Sequence, residues 1–306
     1  STEHTRLKKA MIYLLGSIVL TSYLTLSFKY CERHGVSIFQ AIVFNYITCV
    51  ITGSIVNGAF PIDGNTIQTP WFKWACLMGL MFISIFNVVG LTAQKMSVAV
   101  ASVANKLSLI IPVVLSVYLY QESVTGWKLV GVVLALLAVA LTCYPEKQGG
   151  GSDKKPVQKW AYFLPVILFF GSGLLDALIN HVQQTYVTDE NYNAYLISGF
   201  FSAATIGTCI LLFQYATMQL QFAWKHLIAG VLIGIPNYFS IWCLVRFLKN
   251  SPWESSASFP VNNMGIVLFS SVVAWLLFKE RLSKINWLGV ALSLLAIYLI
   301  AFGNKS

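Results

Sequence analysis

Two ionisable side chains, Lys106 and Asp176, stand inside long apolar runs of this 306-residue chain. A charge at membrane depth is expensive, so such a residue works or is paired. Three chemistries are open to this pair. The two side chains could form a structural ion bridge. Lys106 could be the counter-charge for an anionic group of a substrate. Asp176 could take up and release a proton and so couple transport to protons. Lys106 lies about ten residues from either end of its run, at about 1.5 Å per residue, which makes snorkelling to water poor.

Uncharged hydrogen-bonding residues occupy other apolar runs. Asn262 and Asn263 follow Pro260 in ESSASFPVNNMG. The Pro260 ring removes the donor for the Ser256 carbonyl. Freed carbonyls and amides at mid-membrane depth are how a transporter lines a polar pocket. Asn105 precedes Lys106, and Pro112 follows it. Pro236, Asn237, Tyr238 and Trp242 share one run, and Asn45 and Asn87 stand in two more. The expected substrate-binding set is therefore Lys106, Asn105, Asn263, Asn262, Asn87, Asn45, Tyr238 and Trp242. Pro260, Pro112 and Pro236 are expected to break their helices. Taken singly, each Asn reads better as helix–helix glue, with Gly230 and Gly234 as close packing. The cluster spread over both halves of the chain favours a cavity.

Other polar residues read more simply. His181, Gln183 and Gln184 mark a water-filled mouth. Glu254 sits at a helix start, where a carboxylate is favoured anyway. Glu122 and Glu280 read as interfacial anchors or caps. The six cysteines show no CxxC spacing and read as small core hydrophobes. No zinc, phosphate-loop or Ser-His-Asp pattern is present, so neither enzyme chemistry nor a cofactor nor a metal is expected.

The elements that position these residues follow from composition. The chain is 57% hydrophobic and 10% charged, against roughly 25% charged in soluble domains. An all-α polytopic membrane protein is expected, its partners being the lipid bilayer and a small-molecule substrate. The net charge of +9 belongs to loops. No basic cluster is interleaved with aromatics, so no nucleic acid is expected. The first apolar run is too long for a signal-peptide core and lacks a cleavage site.

At about 20 residues per span, the hydropathy predicts ten transmembrane helices: Ala10–Phe28, Ile38–Asn57, Trp71–Thr92, Ser97–Tyr120, Trp127–Tyr144, Trp160–Val182, Tyr192–Tyr215, Trp224–Phe247, Glu254–Phe278 and Ile285–Phe302. Residues 1–9 form a basic N-terminal segment, 145–159 a Gly-, Ser- and Lys-rich linker, and 303–306 a short tail. The two halves, 10–144 and 160–302, hold five spans each. Ser97–Leu141 aligns without a gap on Ser255–Leu299, matching Asn105 to Asn263, Glu122 to Glu280 and Gly131 to Gly289. An odd number of spans per half makes this two inverted five-helix repeats, an architecture common in secondary transporters.

The closing pattern of each half, YLYQESVTGWKLVGVVLALLAVAL at Tyr118–Leu141 and LLFKERLSKINWLGVALSLLAIYL at Leu276–Leu299, resembles the drug/metabolite transporter superfamily, in particular its EamA-type ten-helix members. The resemblance spans Ala10 to Phe302. It implies that spans one, three, four, six, eight and nine surround a central cavity, with five and ten peripheral. It also implies cytoplasmic termini and residence in the inner membrane. The loop charges do not support that orientation, at about eight basic residues inside against eleven outside. Val103-Ala104-Asn105-Lys106 is similar to the Asn-Lys motif of nucleotide-sugar transporters. Theirs lies in span nine, where this chain has Asn262-Asn263 and Met264.

The expected function is thus a secondary transporter, an exporter of amino-acid-like or other carboxylate-bearing solutes by alternating access. A sugar-phosphate or nucleotide-sugar exchanger is the alternative within the class. A lipid-carrier flippase or membrane accessory subunit is the alternative outside it. Monomer and homodimer both remain open.

Overall fold

The computed structural model describes residues 2–112, 115, 126–144, 158–188, 190–250, 255–279 and 282–302. Glu122, Glu280, Glu254 and the linker through residue 157 lie outside them. The described residues fold as helices: α1 (Thr2–Arg33), α2 (Ile38–Asn57), α3 (Gly64–Ile67), α4 (Phe72–Lys95), α5 (Val98–Leu107), α6 (Gly126–Thr142), α7 (Leu164–Tyr186), α8 (Tyr192–Ala216), α9 (Trp224–Asn250), α10 (Ser255–Phe278) and α11 (Lys284–Phe302). A 3-10 turn over Lys159–Phe163 leads into α7.

Seven of these described helices are long and apolar enough to cross a membrane: Lys8–Arg33, Ile38–Asn57, Phe72–Lys95, Lys159–Gln183, Tyr192–Ala216, Trp224–Leu248 and Pro260–Phe278. The other expected spans fall on shorter apolar stretches, Val98–Pro112, Leu129–Thr142 and Lys284–Leu299, the first of them broken by a turn at Ser108–Leu109. Helix ends have local causes. Ser97 caps α5, its hydroxyl accepting the Val100 N–H at 3.1 Å. Gly58, at φ 81°, ends α2 in the left-handed conformation that glycine adopts without penalty.

The chain divides into two compact units. Each takes helices from both halves of the sequence. The first draws on Ser1–Lys29, Val89–Gly173 and Ser240–Ser306. Its core joins Val103 and Leu107 of α5, Ala138 of α6, Val267 of α10 and Ile297 of α11. The α6–α11 pair is close because its facing residues are small. A Cβ at Gly289 would lie 2.9 Å from the Ala138 carbonyl oxygen, and Ala138, Ser293 and Ala296 are fully buried.

The second unit draws on Tyr30–Val88 and Leu174–Phe239. Trp71, just before α4, and Ala75 and Met78 of α4 pack with Leu175 and Val182 of α7 and with Tyr195 of α8. Helix α2 pairs with α8. Gly53 meets Ile197, and Gly207 meets Val43. Helix α4 presses Gly79 against Ser202 and the Gly199 carbonyl of α8. Helix α9 presses Gly234 against Thr48 and the Asn45 carbonyl of α2.

Candidate functional site

The expected site residues divide between the two units. In the first unit, Asn105 and Lys106 stand half-buried at the end of α5. A cation in a last helical turn meets the negative end of the helix dipole. The chain then turns at Ser108–Leu109. Pro112 gives the physical reason. It has no N–H for the Ser108 carbonyl four residues back, and its ring crowds that carbonyl. The Ile111 N–H serves the Ser108 carbonyl instead, at 2.9 Å. The Ser108 hydroxyl donates to the Asn105 carbonyl, which satisfies one of the acceptors that a helix end leaves over. Span four is therefore not one straight helix, and Lys106 lies at its interruption.

Ser102 shares a helix face with Asn105 and Lys106, at i, i+3 and i+4. Its oxygen accepts the Ser270 hydroxyl at 2.8 Å, which pins α5 to α10. Asn263 lies two turns before Ser270 on α10 and is 4% exposed. Asn262 shares a face with Gly265, whose position abuts Ile18 of α1. The Asn262 Oδ1 is buried without a hydrogen-bond partner among the described residues, a condition uncommon in native interiors. Met264 aligns with Lys106 in the sequence, one residue after Asn263, and packs into the apolar core of this unit.

Two expected helix breaks are absent. Helix α10 runs through Pro260 and α9 through Pro236. Each proline removes one rung of the ladder. In a packed apolar helix the neighbouring rungs and helices carry the backbone past such a gap.

Trp242 of α9 belongs to the first unit and takes part in a stack. The Arg246 guanidinium sits 4.9 Å from its ring centroid. The Tyr13 ring meets it edge-on at 5.6 Å.

In the second unit, the Asn237 Nδ2 donates to the Asn45 Oδ1 at 3.0 Å. The Cys49 thiol donates to the Gly234 carbonyl at 3.4 Å. This cluster ties α2 to α9. Asn87 donates to the Ile83 carbonyl of its own helix at 2.7 Å. Tyr238 is buried, its ring against Gly53. Asp176 is half-buried on α7, in the unit that does not contain Lys106. His181 is exposed and meets Trp74 edge-on at 6.2 Å, and Gln183 is half-buried.

Two features escape a reading of the sequence. Asn286 donates to the Leu141, Thr142 and Tyr144 carbonyls, at 3.1, 3.0 and 3.0 Å. One amide so closes the C-terminus of α6. Its signal is the Ser283-x-x-Asn286 spacing at a helix start, where the Asn286 Oδ1 also accepts the Ser283 N–H at 2.9 Å. The second is the Tyr13–Trp242–Arg246 stack, whose signal is an aromatic four residues before a cation on one helix.

These helices and their hydropathy define a multi-pass membrane protein. Residues 8–144 match the EamA-like transporter family. An uncharacterised protein of Haemophilus influenzae is 25% identical over 299 residues, which cover 95% of this chain and 98% of that protein. A protein of known crystal structure shares the fold at a TM-score of 0.60 and 15% identity, over 97% of this chain and 99% of its own.

Proposed function

We propose that this membrane transporter is a secondary exporter of small carboxylate-bearing solutes, working by alternating access with Lys106 as the counter-charge for the carboxylate. One observation carries the reading. A half-buried lysine, beside Asn105, stands where α5 is interrupted inside an apolar run. Interrupted helices with polar residues at the gap are how transporters of this kind hold ions and charged substrates. The cation costs about 2.5–3.5 kcal/mol at mid-span on insertion scales, and Met264 at the aligned position costs nothing of that kind.

Ten spans in two inverted five-helix repeats are part of the reading. Seven long apolar helices and three shorter ones support the count. Pairs of contacts that interchange between the halves support a twofold relation between them, and the odd number of spans per half makes it an inverted one. The shift that carries Gly53 to Gly207 also carries Val43 to Ile197, and so turns the contact Gly53–Ile197 into Gly207–Val43. The same shift carries Asn45 to Gly199 and Thr48 to Ser202. The partners of Gly234 and Gly79 correspond under that shift, and the two glycines themselves are offset from it by one residue. The reading further puts the protein in the inner membrane with both termini cytoplasmic.

A thermal-shift screen of the detergent-purified protein tests the substrate class. A ligand at about 100 times its Kd should stabilise by about 2.7 kcal/mol. Amino acids and other carboxylates are expected to raise the unfolding midpoint. Stabilisation by sugar phosphates or nucleotide sugars and by no simple carboxylate would contradict the reading.

A further inference from the structure

We infer that one end of the first unit is a docking surface for an anionic phospholipid headgroup, built from Lys8 and Lys9 of α1 and Arg246 of α9. Ala10 and Leu14 of α1 pack with Phe247 of α9, with Leu248 beside them. The start of the apolar helix Lys8–Arg33 and the end of Trp224–Leu248 are therefore at one level. Lys8 opens the one and Leu248 closes the other. Lys8, Lys9 and Arg246 border this apolar cluster in sequence, and all three are exposed. Segments 6–9 and 246–249 together hold five basic residues and no acidic one.

The aromatic stack under Arg246 completes the surface. Trp242 holds the guanidinium by a cation–π contact at 4.9 Å and is braced edge-on by Tyr13. A guanidinium held in this way has less freedom to lose when it forks onto a phosphate. Trp and Tyr favour headgroup depth. Basic residues there attract anionic lipid, each changing affinity by roughly fivefold. The location commits the site to lipid. It lies where a spanning apolar cluster ends, so a headgroup seated there places its acyl chains along the exposed Met11, Ile12 and Leu15 of α1.

The test uses the full chain in nanodiscs of phosphatidylcholine, with and without phosphatidylglycerol of the same acyl chains. Thermal unfolding midpoints are read for the wild type and for the triple variant Lys8→Gln, Lys9→Gln, Arg246→Gln. The wild type should gain stability with phosphatidylglycerol and lose most of that gain as salt rises. The variant should match the wild type in pure phosphatidylcholine and show little gain. Inorganic phosphate in phosphatidylcholine discs should not substitute for the lipid. An equal gain in the variant, or the same rise from inorganic phosphate, overturns the proposal. If the variant does not fold, the salt titration of the wild type decides alone, because a gain that persists at high salt is not electrostatic.

Discussion

The Asn237 amide donates to the Asn45 side-chain oxygen at 3.0 Å, with both residues buried. The bond joins helices whose sequences lie 192 residues apart. It is held by the close approach of Gly234 to the Asn45 backbone, where a Cβ would lie 2.7 Å from the carbonyl oxygen. Truncating Asn45 removes the acceptor of the Asn237 amide bond. Asn45→Ala should therefore destabilise by about 1–3 kcal/mol. Replacing both residues with Leu should cost less than the sum of the single changes. Equilibrium unfolding of the two singles and the double, closed as a cycle, checks this. Additive losses would show that the pair is not coupled.

Glycine contacts supply a second test. A Cβ at Gly79 would lie 2.6 Å from the Gly199 carbonyl oxygen, much as at Gly234 against Asn45. Gly79→Val and Gly234→Val should each lose about 1–3 kcal/mol through overpacking. Gly64 has nothing within 4 Å of its Cβ position, so Gly64→Ala should stay within about 0.5 kcal/mol. Unfolding midpoints of the three variants decide. Similar losses at Gly79 and Gly234 would also match the correspondence between their contacts.

Much of the helical frame is legible in the residues themselves. Ser97 announces a helix start because its hydroxyl suits an N-cap, and Gly58 announces an end because of its left-handed φ. The proline signals are less reliable. Pro112, Pro236 and Pro260 have the same local chemistry, yet only the chain before Pro112 leaves the helix. Whether a missing rung ends a helix depends on packing from elsewhere in the chain, which local sequence does not carry. The same limit applies to the asparagines. Their role as glue or lining is open in sequence, because the partner of Asn45 is far along the chain. Asn286 escapes the sequence because its acceptors are carbonyls at the end of α6 and just beyond it, and a carbonyl has no residue type to betray it.

The prolines should therefore separate in function. Pro112→Ala restores a donor for the Ser108 carbonyl and should extend α5 past Lys106. Flux in reconstituted vesicles should fall while the unfolding midpoint holds or rises. Pro260→Ala lies in a helix that is already continuous and should leave flux close to wild type. Equal flux losses in the two variants would remove the interruption of α5 from the account.

The Ser102–Ser270 bond at 2.8 Å fixes α5 on α10 beside Asn105. Interhelical bonds of this kind average about 0.6 kcal/mol. Ser270→Ala should thus be nearly neutral in stability yet lower substrate affinity by shifting the face that carries Asn105 and Lys106. Thermal unfolding together with ligand titration on the same preparation reads both. A large stability loss with affinity unchanged would make the bond structural only.

The central claim concerns Lys106 and is tested most directly by the affinity of a carboxylate ligand in reconstituted vesicles. Wild type, Lys106→Met and Lys106→Arg are compared. The account predicts that Lys106→Met stays folded and inserted but no longer binds carboxylates. Lys106→Arg should recover binding only in part, because a planar fork does not replace a compact ammonium. Carboxylate affinity and flux in Lys106→Met equal to those of the wild type would contradict the account.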